Sequence, residues 1–151
     1  MAHHAIIYGR INGATWKTED FYKLHQLNLS VINSLPENDT DFPYINKSMF
    51  SIPDDQGTFR NQVITFGASY KSLEYEWHLW IEKFESILKK LFWFDVIIHA
   101  EFEMMGTYNY QWSVDNDQLN NWYKKSPDPI SEWNFESNGP RSFLNELNSN
   151  H

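Results

Sequence analysis

From Ser72 to Leu91 the chain places Trp77, Trp80, Ile81, Phe84, Ile87, Leu88 and Leu91 on one broad helical stripe, with Glu76, Glu82, Lys83, Glu85 and Lys89 off it. So much apolar surface on one side of a helix cannot be left in water. At roughly 1.5–3 kcal/mol for each large apolar side chain fully buried, the stripe requires an apolar sheet to lie on. Off the stripe, Glu85 and Lys89 stand four residues apart in the favourable orientation and are expected to pair.

The sheet is legible on both sides of that helix. After it, Ile98, Ala100, Phe102 and Met104 alternate with Ile97, His99, Glu101 and Glu103. Tyr108, Tyr110 and Trp112 then alternate with Thr107, Asn109, Gln111 and Ser113. This period-two pattern predicts strands over Val96–Met104 and Thr107–Ser113. Matching their apolar faces gives the pairs Met104–Tyr108, Phe102–Tyr110 and Ala100–Trp112, with a three-residue loop containing Gly106. Before the helix, Asn61–Tyr70 reads as a strand with Ile64, Phe66, Ala68 and Tyr70 towards the core, and Lys47–Ile52 as another. Pro53–Gly57 between them carries turn chemistry.

At the front, Ala5–Ile11 is a strand closed by the turn signal Asn12-Gly13, and Thr18 is an N-cap. The helix it opens carries Phe21, Leu24, Leu27, Val31, Ile32 and Leu35, and Pro36 ends it. Glu37–Tyr44 is a polar, acidic connection. The resulting order is the split βαβ, ferredoxin-like βαββαβ arrangement with an extra strand: an α+β fold whose antiparallel-rich sheet has two helices on one face and leaves the other partly open. The 151 residues suit a single domain. The core occupies residues 1–125, with a short helix over Gln118–Lys125 behind Asp115-Asn116-Asp117. Residues 126–151, with Pro127, Pro129 and Pro140, form an irregular C-terminal wrap with a short helix near Arg141–Leu147.

Charge and composition narrow the function. The formal net charge of −8 disfavours nucleic acid and anionic membrane, both of which need a positive field. The absence of Cys and of a legible export signal near Met1 points to the cytoplasm, and the longest apolar run, Leu91–Ile98, is too short to span a bilayer. Aromatic residues make up 17% of the chain, more than a small core normally absorbs, so some rings are expected at an interface. The His3–His4 pair carries no functional weight.

The strongest chemical constellation is His99, Glu101 and Glu103 on one strand face, which a small metal-dependent hydrolase could use. The same period-two polarity is what the solvent side of any half-buried strand looks like. His25 and His78 have no partner at ligand spacing, and no Gly-rich loop follows a strand. The Asp115-x-Asp117 start of a calcium loop has Asn120 where the Gly is needed. No cofactor, metal or catalytic residue is therefore expected.

The small acidic α+β build, the Trp-rich helix YEWHLWIEKFESILKKL and the hairpin VIIHAEFEMMGTYNYQW resemble bacterial immunity proteins of polymorphic-toxin and contact-dependent growth inhibition systems. The resemblance implies a cytoplasmic inhibitor that binds a cognate toxin protein. A basic toxin would gain association rate and specificity from opposite charge. Its contacts would come from exposed acids flanked by aromatics: Glu37, Asp39, Asp41 and Tyr44 on the first long loop, Asp54 and Asp55 on the turn, and Glu101, Glu103 and Tyr108 on the hairpin. The oligomeric state stays open, with a homo-oligomeric assembly protein as a further reading.

Overall fold

The computed structural model describes residues 3–15, 19–52, 61–115, 117 and 128–148. Its elements are β1 (His4–Thr15), α1 (Glu19–Asn33), β2 (Phe50–Ser51), β3 (Asn61–Lys71), α2 (Trp77–Leu88), β4 (Trp93–Phe102), β5 (Gly106–Ser113), β6 (Asn134–Ser137) and α3 (Leu144–Asn148). The strands form one antiparallel sheet in the order β2-β3-β1-β4-β5-β6. Its first four strands have the split βαβ order expected from the sequence, and β5 and β6 extend the sheet beyond β4. Thr18, the Pro53–Gly57 turn and the Gln118–Lys125 helix lie outside the described residues. Among the described residues no helix is long and apolar enough to cross a membrane.

One face of the sheet carries the core. Ala5, Ile7 and Ile11 of β1, Ile64, Phe66 and Tyr70 of β3, Val96, Ile98, Ala100 and Phe102 of β4, and Tyr110 and Trp112 of β5 are buried together with the α2 stripe. Every stripe residue expected to be buried is buried. Trp77 stacks on Trp80 (5.2 Å between ring centroids) and Trp80 on Phe84 (5.1 Å), so the helix meets the sheet through a continuous aromatic column. The polar edges of that column are satisfied. The Trp80 indole N–H donates to the Tyr70 hydroxyl (3.0 Å), which donates to the Tyr44 carbonyl (2.6 Å). The Trp77 indole N–H likewise reaches the Tyr110 hydroxyl (3.0 Å), which donates to the Pro140 carbonyl (2.7 Å).

The structure departs from the sequence reading in six places. Asn12-Gly13 does not end β1; the strand continues through a bulge, with the pairing to β3 and β4 shifting there. The expected strand at Lys47–Ile52 shrinks to a 3-10 turn, Lys47–Met49, followed by two paired residues. The Met49 amide donates to the Asn46 carbonyl (3.0 Å), and that turn consumes half the segment. The hairpin pairs apolar face with apolar face as expected, but four residues further back along β4: Phe102 faces Gly106, Ala100 faces Tyr108 and Val96 faces Trp112. The loop is thus Glu103-Met104-Met105, closed by Gly106 at φ 107°, a conformation that favours glycine.

On α1, Leu27 points to solvent, whereas His25 and Asn28 are buried. The Asn28 side chain donates to the Phe92 carbonyl (2.8 Å) and the Gln62 side chain (3.1 Å) and accepts from the Phe92 amide (2.8 Å). A saturated polar side chain thus takes a core position that apolar spacing would give to leucine. Glu85 does not pair with Lys89. It accepts from both Arg141 guanidinium nitrogens (2.5 and 3.1 Å) and from the Trp112 indole (2.8 Å), while Lys89 lies over the Trp133 ring. Finally, part of the C-terminal wrap is a strand, β6, whose Phe135 packs on Trp112 (5.0 Å).

Two outcomes follow. A Cβ on Gly9 would lie 2.1 Å from the Ile97 carbonyl oxygen and 3.0 Å from the Phe66 ring, whereas one on Gly67 meets only ordinary contacts. Gly9→Ala is expected to lose at least about 1–3 kcal/mol in urea unfolding, and Gly67→Ala to stay within about 0.5 kcal/mol. Burial pushes the Tyr70 and Tyr110 hydroxyls up to about 12, against the pull of their indole donors. Both phenols keep their protons longer when folded, so their contribution is whole below about pH 10 and is lost as pH rises towards 12. Absorbance at 295 nm should show two tyrosines ionising only as the fold opens.

Candidate functional site

The second face of the sheet lies opposite the core and leaves Ile6, Tyr8 and Val63 exposed. The pairing of the strands sets its rows. On the central strand β1, Ile6 stands between Ser69 and Glu101, Tyr8 between Gly67 and His99, Arg10 between Thr65 and Ile97, and Asn12 between Val63 and Asp95. Towards the far edge the rows continue through Thr107, Asn109, Gln111 and Ser113, then Glu136 and Asn134. Strand alternation puts all of these opposite the core. Ile6 (37% exposed), Tyr8 (41%) and Val63 (42%) are large apolar side chains left open here.

Polar neighbours order this face. Asp95 accepts from Arg10 and, at 3.3 Å, from Asn12, and Asn12 accepts from Asn61 at 2.7 Å. The Tyr8 ring lies against His99 (5.2 Å), whose Nδ1–H donates to Asn109 Oδ1 (2.5 Å). The neighbouring Glu101 carboxylate raises the Tyr8 phenol pKa, first as a hydrogen-bond acceptor, then, after desolvation, by its charge. Glu103, in the β4–β5 loop, accepts from the His4 amide (2.8 Å). A recess of about 260 Å³ lies among His4, Ile6, Glu101, Glu103 and Thr107.

His99, Glu101 and Glu103 share a strand face and the loop after it but do not converge on one point. His99 is bonded sideways to Asn109, Glu101 is engaged by Tyr8, and Glu103 is bonded to the backbone of β1. Among the described residues no three His, Asp or Glu side chains converge on one point.

The other acids expected to bind a partner are dispersed. Asp39 is only 12% exposed and is structural: it accepts from Lys83 (2.5 Å) and from the amides of Ile45 (3.0 Å) and Asp41 (3.1 Å). Lys83 also donates to the carbonyls of Asp41 (2.5 Å) and Pro43 (3.0 Å), so one ammonium on α2 clamps the whole connection. That connection displays Asp41 (88% exposed), Glu37 and the Tyr44 ring on the helix side of the molecule, away from Glu101. Tyr108 is half-buried on the core-facing side of β5; its hydroxyl donates to the Met105 carbonyl and its ring packs on Phe143. Asp54 and Asp55 lie outside the described residues. Sequence reasoning did not single out Ile6, Tyr8 and Val63, although their alternation with Ala5, Ile7 and Ile64 was the available signal.

Burial raises the Asp39 pKa, but its bonds to Lys83, Ile45 and Asp41 outweigh that and hold it below the ordinary carboxylate range. Its contribution is present above the unfolded pKa near 3.9 and is lost as pH falls through the depressed folded value. Asp39→Asn should therefore speed hydrogen exchange at the Asp41 and Ile45 amides at neutral pH. The difference from wild type should vanish once acid protonates Asp39.

No protein-family model matches the chain, and no curated protein and no solved structure shows significant similarity to it.

Proposed function

We propose that this chain is a cytoplasmic immunity protein that binds and neutralises a cognate toxin domain with a basic surface, and that it acts by occupancy, not by turnover. The observation that carries this reading is the uncovered sheet face, where Ile6, Tyr8 and Val63 stay exposed although the opposite face has buried a full aromatic core. Open apolar side chains on the adjacent strands β1 and β3 are what a protein interface leaves when its partner is absent. The net charge of −8 favours a cationic partner and steers its approach. The resemblance of the Trp-rich helix and hairpin to immunity proteins supplies the class of partner.

The test is co-expression with the toxin domain encoded beside this chain. Growth should be rescued, the two proteins should co-purify, and the association rate should fall by roughly an order of magnitude or more as salt rises from about 0.01 to 0.5 M. The double variant Ile6→Asp and Val63→Asp should abolish rescue while keeping the fold. Rescue that survives these changes would place the interface elsewhere, and absence of any complex would overturn the reading.

A further inference from the structure

We infer that Ile6, Tyr8 and Glu101 form an anchor for a single cationic side chain, Lys or Arg, of the partner. This rests on reading the open face as the docking surface for a basic protein.

The two halves of that face differ electrically. In the half around Arg10 the charges are already matched: Asp95 holds the Arg10 guanidinium and Asn12, and Asn12 holds Asn61. That network is complete and has little to offer an incoming ion. In the half around Tyr8 no described Lys or Arg pairs with Glu101, whose neighbour is the neutral Tyr8 phenol, so its negative charge is left for an incoming cation. Lys71 stands at the rim of this half, opposite His4, one row beyond the Ile6–Glu101 row.

Shape agrees with charge. Gly67 faces Tyr8 from β3 with no side chain, so the ring is flanked by His99 on one side only. The recess beside Glu101 is lined in part by the aliphatic Ile6. An aliphatic stem on Ile6, a cation near the Tyr8 ring and a charge-assisted bond to Glu101 together match a long basic side chain. An acidic or purely apolar group would leave Glu101 desolvated against nothing.

The probe is acetyl-Arg-Arg-Arg-amide, titrated into the full chain while amide resonances are followed. Shifts should concentrate on residues 6–8 and 99–103. Glu101→Gln and Tyr8→Leu should each weaken binding roughly threefold to fivefold, whereas Glu136→Gln and Asp41→Asn, which remove the same formal charge as Glu101→Gln, should change it far less. Equal weakening by all three charge-removing variants, or shifts centred on residues 37–44, would overturn the anchor. Either result leaves toxin rescue by the intact chain unaffected, so failure of the anchor is distinct from failure of the docking face. The four side chains are exposed or half-exposed, and the amide spectrum of each variant reports directly whether the fold is retained.

Discussion

The whole architecture depends on how α2 meets the sheet. Trp77, Trp80 and Phe84 form a stacked column, and dispersion with water exclusion along it outweighs any polar contact in the molecule. An indole in such a column brings a donor that cannot be left unpaired without a cost of about 1–3 kcal/mol. The chain answers with tyrosines on the strands below, and each hydroxyl passes the bond on to a loop carbonyl. The helix therefore orders the loops as well as the sheet. Through Tyr70 it holds the connection after α1, and through Tyr110 it holds the segment leading to α3.

Charged groups on α2 repeat the same division of labour. Lys83 clamps the connection after α1, and Glu85 ties Arg141 and Trp112. Both residues lie at the border of the apolar stripe, where the side chain can reach a loop while its stem stays packed. The consequence for function is a separation of faces. On the helix side Asp39 and Glu85 are committed to internal bonds that hold structure. On the far side of the sheet Asp95 is similarly committed to Arg10, whereas Ile6, Tyr8 and Val63 stay exposed.

How much of this was legible depends on the range of the interaction. The α2 stripe, the alternation of β4 and β5, and the strand order that makes the split βαβ arrangement are periodic and local, so they could be read directly. The hairpin parity was readable for the same reason. Its register was not, because a shift by any even number of residues, here four, keeps every side chain on its face; the position of Gly106 at the close of the loop decides it. β6 was missed because only Trp133 and Phe135 alternate there, amid Asn, Glu and Ser. Among the candidate acids, Asp39 and Glu101 look alike in sequence. One is held by an ammonium 44 residues away, and the other lies open beside a tyrosine.

The sequence alone determined the fold class, the burial of the helix stripe and the two-faced character of the sheet, since these follow from the spacing of apolar residues along one chain. Only the tertiary structure decided which carboxylates are structural, that Asn28 belongs in the core, and that Tyr108 is half-buried on the core side while Tyr8 is open. A polar side chain's role is set by the partner it meets, and those partners come from distant segments that folding alone brings within hydrogen-bonding reach.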